Sequence, residues 1–233
     1  MFSLIMGFWR LLFKKSEFQV LIVGLDGAGK TVREARTPPA AVARDSPVDS
    51  CARALVPQSV LEQIKGIFSG MEPLPPNKIP PTVGLNIGRM RIERTNLVFW
   101  DLGGQRSLRS LWEKYYSEAH ALLFVVDASD GARLDESRET LQQLLNNPEL
   151  AGIPTLVLAN KQDAPGAVSA HEVQSRFGLE AEGGGGGPPQ IVLGVTALTG
   201  DGVEQGVRWL VDSIHASPRG ERAMLGGDGV FPT

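Results

Sequence analysis

The sequence predicts an α/β fold, a mostly parallel six-stranded sheet flanked by helices, with an amphipathic helix ahead of it. Six short apolar runs recur along the 233 residues, and the stretches between them carry helical spacing. Two of the runs, HALLFVVDAS and IPTLVLANKQD, are continuous rather than alternating, as strands covered on both faces are. Glycine-rich or polar turns follow the runs, and in such sheets ligands gather at the C-terminal ends of the strands.

The chain begins MFSLIMGFWRLLFKK. Ser3, Gly7, Arg10 and Lys14 share one helical face, while Phe2, Ile5, Met6, Trp9, Leu12 and Phe13 line the other. A signal peptide carries its basic residues before the apolar run, and here they come last. Residues 1–16 are therefore read as a helix lying in a membrane surface, with Phe2, Ile5, Trp9 and Phe13 inserted. No apolar run reaches the roughly 18 residues a membrane span needs.

FQVLIVG, Phe18 to Gly24, is the first strand. VGLNIGRM and LVFWDLGG follow, joined by the polar hairpin-like connection RIERTN. After HALLFVVDAS comes a helix over Leu134 to Leu145, then IPTLVLANKQD and a helix over His171 to Phe177. Gly183 to Gly187 form a five-glycine loop before the last strand, PQIVLGVTAL, and a helix over Val203 to Ile214. Residues 17–216 read as one domain, and 217–233 are expected to be disordered.

Four motifs close the strands. GLDGAGKT, comprising Gly24, Leu25, Asp26, Gly27, Ala28, Gly29, Lys30 and Thr31, is a phosphate-binding loop after a strand, which makes the fold that of a P-loop NTPase. Its backbone N–H groups cradle the β-phosphate, Lys30 reaches the β- and γ-phosphates, and the Thr31 hydroxyl can ligate Mg²⁺. WDLGGQ places Asp101 where a metal-proximal carboxylate belongs, Gly104 where a bare N–H can approach a γ-phosphate, and Gln105 where it can orient the attacking water. NKQD, with Asn160, Lys161 and Asp163, selects guanine, because a carboxylate can accept from N1–H and the exocyclic amine together. Lys161 lays its stem along the base, and TAL can offer the Ala197 N–H, beside Leu198, to the base oxygen. PPTVG supplies Thr82, a second hydroxyl for Mg²⁺ and a γ-phosphate sensor.

With these spellings, GLDGAGKT, TVGLNIG, WDLGGQ and LANKQD, the chain resembles a small GTPase of the ADP-ribosylation-factor family. LRSLWEKYY and the amphipathic start bring it closest to the ARF-related branch. The resemblance implies a GTP/GDP switch that uses Mg²⁺ and hydrolyses GTP slowly alone and faster with an activating protein. It implies exchange factors, effectors, and a place in the cytoplasm and on the cytosolic face of trans-Golgi membranes. It also implies an effector patch in which Leu85 replaces a common Phe while Trp100 and Tyr115 keep the other two aromatics. Phe2 stands where N-myristoylation requires glycine.

Residues 32–58 break the first helix from its phosphate loop. Deleting these 27 residues joins GLDGAGKT to SVLEQIKGIF, which restores both the helix and, with Ser59, a second hydroxyl after Thr31. The segment opens with Val, whose codons all begin GT, and closes with Gln, which CAG encodes. Ala, Arg, Pro and Val supply 18 of its 27 residues, as translated GC-rich noncoding DNA does. It reads as a retained in-frame intron. Pro38 and Pro39 argue against helix continuing from Thr31, so the expectation is a displaced helix and a weakened phosphate site. The rival function is then an interaction protein with impaired nucleotide binding.

The remaining composition bounds the partners. A net charge of −3 gives no support to nucleic-acid binding, and the single cysteine, Cys51, rules out an intrachain disulfide.

Overall fold

The computed structural model describes residues 16–30, 60–70, 84–179 and 187–224. The N-terminal helix, Thr31, the segment 32–58, Thr82 and residues 225–233 lie outside the described residues. The strands are β1 (Glu17–Gly24), β2 (Leu85–Ile92), β3 (Thr95–Leu102), β4 (Ala121–Asp127), β5 (Thr155–Asn160) and β6 (Gln190–Gly194). The helices are α1 (Val60–Ser69), α2 (Leu134–Leu145), α3 (Ala170–Phe177), α4 (Val203–Ala216) and α5 (Pro218–Met224).

The six strands form one sheet in the order β2-β3-β1-β4-β5-β6. Only β2 and β3 run antiparallel, and every other neighbouring pair is parallel. The alternation of β1 explains the two-layer cover. Val20 and Ile22 join the cluster that includes Val60, Leu61 and Ile64 of α1 and Val207, Leu210 and Ile214 of α4. Leu21 and Val23 face the opposite way, into the cluster with Leu141 and Leu144 of α2 and Val173 and Phe177 of α3. Burying each such side chain contributes about 1.5–3 kcal/mol, so both faces hold the central strands.

Two expectations change. RIERTN is mostly strand rather than connection: Ile92 pairs with Thr95, which leaves a turn of only Glu93 and Arg94. Glu93 takes the left-handed backbone, φ 55°, that closing a two-residue hairpin demands.

The tail is ordered at its start, contrary to the expected disorder from 217. Ser217 closes α4 and opens α5: its carbonyl accepts from Glu221 N at 2.9 Å and its Oγ from Gly220 N at 3.0 Å. Pro218 then occupies the first helical position, where its missing N–H costs nothing. Arg219 donates to the carbonyls of Tyr116, Ala119 and Glu149, the last two at 2.6 and 2.7 Å. Ser-Pro is a helix-start signal, and composition alone obscured it.

Candidate functional site

Strand register gathers the motifs at one edge of the sheet. Ile22 lies beside Asp101, Gly24 beside Val125, Asp127 beside Asn160, and Ala159 beside Gly194. The phosphate loop, the WDLGGQ turn, NKQD and TAL therefore leave the C-terminal strand ends side by side, at the switch point of the topology.

On the phosphate side the loop curls around its own lysine. Lys30 is 4% exposed, and its ammonium donates to Gly24 O at 2.5 Å and Leu25 O at 2.8 Å. Burial lowers the Lys30 pKa to about 8, against the pull of the Asp101 and Asp26 carboxylates. Gly104 lies directly over this lysine. A Cβ there would overlap Gly24 O, Leu25 C and Lys30 Nζ, so only glycine permits the approach. Asp101 is fully buried at the end of β3, close enough to Lys30 to act on its charge.

The helix beyond the loop is not displaced, which corrects the expectation drawn from Pro38 and Pro39. Val60 N donates to Gly29 O at 3.0 Å. With the 27 residues of 32–58 discounted, Val60 stands four positions after Gly29, and this is the ordinary helical bond. Val60, Leu61 and Ile64 are fully buried in the core, so α1 is seated where an uninterrupted chain would put it. The register crosses the insertion as if it were absent. Gln63 of α1 also donates to Leu198 O at 3.4 Å, tying this helix to TAL.

On the base side, Asn160 is the joint. Its Nδ2 donates to Ala28 O and its Oδ1 accepts from Ala197 N, both at 2.9 Å, and it is 2% exposed. The Ala197 N–H, expected to reach a base oxygen, is instead engaged by Asn160, because the two loops are pulled together through that side chain. Lys161 adopts a left-handed backbone, φ 68°, which turns it outward while Asn160 points in. Its ammonium pairs with Asp127 at the end of β4. Gln162 faces inward and donates to Ala159 O and Val168 O at 3.2 and 3.0 Å, whereas Asp163 is exposed.

The turn after β3 has its backbone pinned residue by residue. Gly103 N donates to Gly84 O at 3.1 Å, and Gly103 O accepts from the buried Trp112 Nε1 at 3.0 Å. Gly104 O accepts from Arg109 Nε at 3.3 Å, and Gln105 O from Leu108 N at 2.8 Å. The Gln105 side chain itself is exposed. The Trp100 and Tyr115 rings lie 5.2 Å apart and Leu85 packs against the same cluster, but Trp100 is only 9% exposed and belongs largely to the core. Ile87, the cross-strand partner of Trp100, is the exposed member at 43%.

Sequence reasoning passed over an ion-pair chain. Arg133 donates to the Asp26 carboxylate at 2.6 Å and its carbonyl at 2.9 Å, and lies 3.4 Å from Glu136, whose other oxygen accepts from Arg109 at 2.8 Å. The charge pattern GARLDESRE was the available signal, but its partners lie far away in sequence. Asp127, a carboxylate ending a buried run, was equally legible and equally missed.

Residues 69–214 match the ADP-ribosylation factor family. The chain is 36% identical over 224 residues to ADP-ribosylation factor-related protein 1 of Bos taurus, covering 94% of this chain and 98% of that one. It is 34% identical over 220 residues to ADP-ribosylation factor-like protein 3 of Saccharomyces cerevisiae, covering 94% and 96% respectively. Among solved structures it is similar to the Arl6 BBS3 small GTPase of Trypanosoma brucei with the nucleotide analogue GppNp bound. That match has 28% identity and a TM-score of 0.62, covering 86% of this chain and 98% of the other. A parallel sheet with a phosphate loop after its first strand and NKQD after its fifth agrees with all of these, and the chain belongs to the ADP-ribosylation factor family of small GTPases, guanine-nucleotide-binding switches.

Proposed function

We propose that this chain is a GTP-dependent switch of Golgi membrane traffic. The observation that carries the reading is the Asn160 joint, which holds phosphate loop and base loop at a fixed spacing through Ala28 and Ala197. One nucleotide can then span both.

The roles follow from chemistry. Backbone N–H groups of Gly24 to Thr31 take the phosphates, and Lys30 exchanges its carbonyl acceptors for phosphate oxygens. Gly104 brings an N–H to the γ-phosphate, and Gln105 orients the water. Asp163, exposed and able to accept two hydrogen bonds, selects guanine, with the Lys161 stem beside the base and Leu198 in the neighbouring loop. The donor set suits Mg²⁺: Asp101 is a buried carboxylate beside the phosphate loop, an oxygen ligand of the kind a hard cation takes. Thr31, Thr82 and Asp101, the last through water, would hold that ion, which neutralises phosphate charge when bound. Exchange factor, activating protein and effectors act on the surfaces around Leu85, Tyr115 and Gln105. The N-terminal helix carries the chain to the cytosolic face of the trans-Golgi.

The rival reading, an interaction protein with nucleotide binding impaired by the insertion, drew on a displaced helix as well as on Val32 standing where a second hydroxyl belongs. The Val60–Gly29 bond speaks against the displacement and so favours the switch.

Titration with fluorescent GTP, GDP and ATP analogues tests the site. ATP is expected to bind at least ~100-fold more weakly, and Asp163→Asn to narrow that gap. Equal affinity for GTP and ATP in the parent protein sinks the guanine assignment. Liposome flotation tests the membrane arm: the GTP-loaded form floats more than the GDP-loaded one, and replacing Ile5 and Trp9 by Glu abolishes it. Equal flotation in both states separates membrane binding from the switch.

A further inference from the structure

We infer that Arg109, held by Glu136, is a positioning residue for hydrolysis: it fixes the peptide that joins Gly104 to Gln105. The inference rests on Gln105 orienting the water. The Arg109 guanidinium donates from Nε to Gly104 O at 3.3 Å and from its terminal nitrogen to Glu136 Oε1 at 2.8 Å. The carbonyl it grips belongs to the same peptide plane as the Gln105 N–H, so its rotation carries the Gln105 backbone with it.

A lone arginine is too mobile to hold a peptide plane, and this one is not alone. It is mostly buried, with 19% of its side chain exposed. Glu136 bridges it to Arg133, and Arg133 grips both the carboxylate and the carbonyl of Asp26 in the phosphate loop. The chain Asp26–Arg133–Glu136–Arg109–Gly104 thus references the water-orienting turn to the loop that holds the phosphates. The fork of Arg109 is what lets one side chain serve two acceptors at once, which a lysine ammonium on a flexible stem does poorly. The opening of α2 supplies the middle link, as Glu136 lies in its first turn.

Single-turnover GTP hydrolysis on preloaded full-length protein tests this, with GTP affinity measured in parallel. Arg109→Ala is expected to slow hydrolysis roughly ten- to a hundredfold while GTP affinity changes less than about threefold. Arg109→Lys recovers only part of the rate. Glu136→Gln, which keeps shape and loses charge, slows hydrolysis in the same direction, and the double variant is no slower than Arg109→Ala alone, because the two residues act as one unit. Gln105→Leu is the control. Parent-like hydrolysis in Arg109→Ala and Glu136→Gln alongside a slow Gln105→Leu overturns the positioning role alone. A parent-like Gln105→Leu overturns the role of Gln105 and this inference with it. A loss of GTP affinity matching the loss of rate also overturns it, since the residues would then serve binding generally.

Discussion

The two sides of the nucleotide site are assembled in different ways. The base side comes from contiguous motifs: NKQD ends β5, TAL follows β6, and one buried side chain, Asn160, joins them to the phosphate loop. The phosphate side is broken in sequence between Thr31 and Ser59, yet its helix returns to the register of an unbroken chain through the Val60–Gly29 bond. Contiguity in sequence is therefore not what places α1. Its apolar face, Val60, Leu61 and Ile64, packs into the core cluster with Val20 and Ile22 of β1, and close packing of this kind favours one seating of the helix. A helix seated by its core contacts tolerates a chain that leaves and re-enters at its first turn, because loop closure costs little per added residue.

The largest effect is expected where the two sides meet. Asn160→Ala removes both hydrogen bonds and leaves Ala28 O and Ala197 N without that partner, at about 1–3 kcal/mol for each buried group. GTP Kd should rise by roughly two decades, with a concurrent fall in urea midpoint. An unchanged Kd would mean that the two sides are held together by something other than this joint.

Removing residues 32–58 sharpens the comparison from the other side. Deleting a segment of this length relieves a chain-closure cost of about 3 kcal/mol or less, seen as a higher urea midpoint. GTP affinity should change by less than about tenfold, because α1 already keeps the Val60–Gly29 bond expected of an unbroken helix. In the sequence without residues 32–58, Ser59 is the hydroxyl that follows Thr31, in place of Val32. Ser59→Ala should then weaken GTP binding by about tenfold, while Val32→Thr changes nothing. If the shortened chain instead binds GTP more than ~100-fold tighter, the insertion disturbs the phosphate side after all.

Most of the sheet was legible because its strands are short apolar runs, two of them continuous, with turns and motifs at their ends. Gly104 was singled out for approach to a phosphate, and the close approach the structure shows is to Lys30 and the phosphate-loop backbone. The reach of Arg133 to Asp26 and of Arg219 to three backbone carbonyls was not, because tertiary packing chooses which acceptor a long side chain meets. Asn160 shows the limit most clearly. Its motif pointed to the nucleotide, whereas its buried amide is satisfied by two loop backbones, Ala28 O and Ala197 N. Pro38 and Pro39 misled for the converse reason: they act locally, and α1 is set by non-local packing.

The smallest effect concerns protons on the phosphate side alone. Burial holds the Lys30 pKa at about 8, below its ordinary value of 10.5, while the unfolded chain keeps the ordinary value. Between those two values the unfolded state binds more protons, so this residue's contribution to stability rises with pH across the window and is constant below it. Phosphate reverses the balance, because an adjacent polyanion favours the ammonium and raises the pKa again. GTP binding at about pH 8.5 should therefore take up a substantial fraction of one proton, and at about pH 7 almost none. The affinity should fall by at most about tenfold per pH unit above about 8, with no such slope below about 7. Calorimetric titration at each pH in two buffers of different ionisation enthalpy reads the proton directly. Asp163→Asn, which lies on the base side, should leave that uptake as it is. Equal heats in both buffers at the higher pH would mean that Lys30 keeps its proton throughout, and that the phosphate loop is less desolvating than its burial implies.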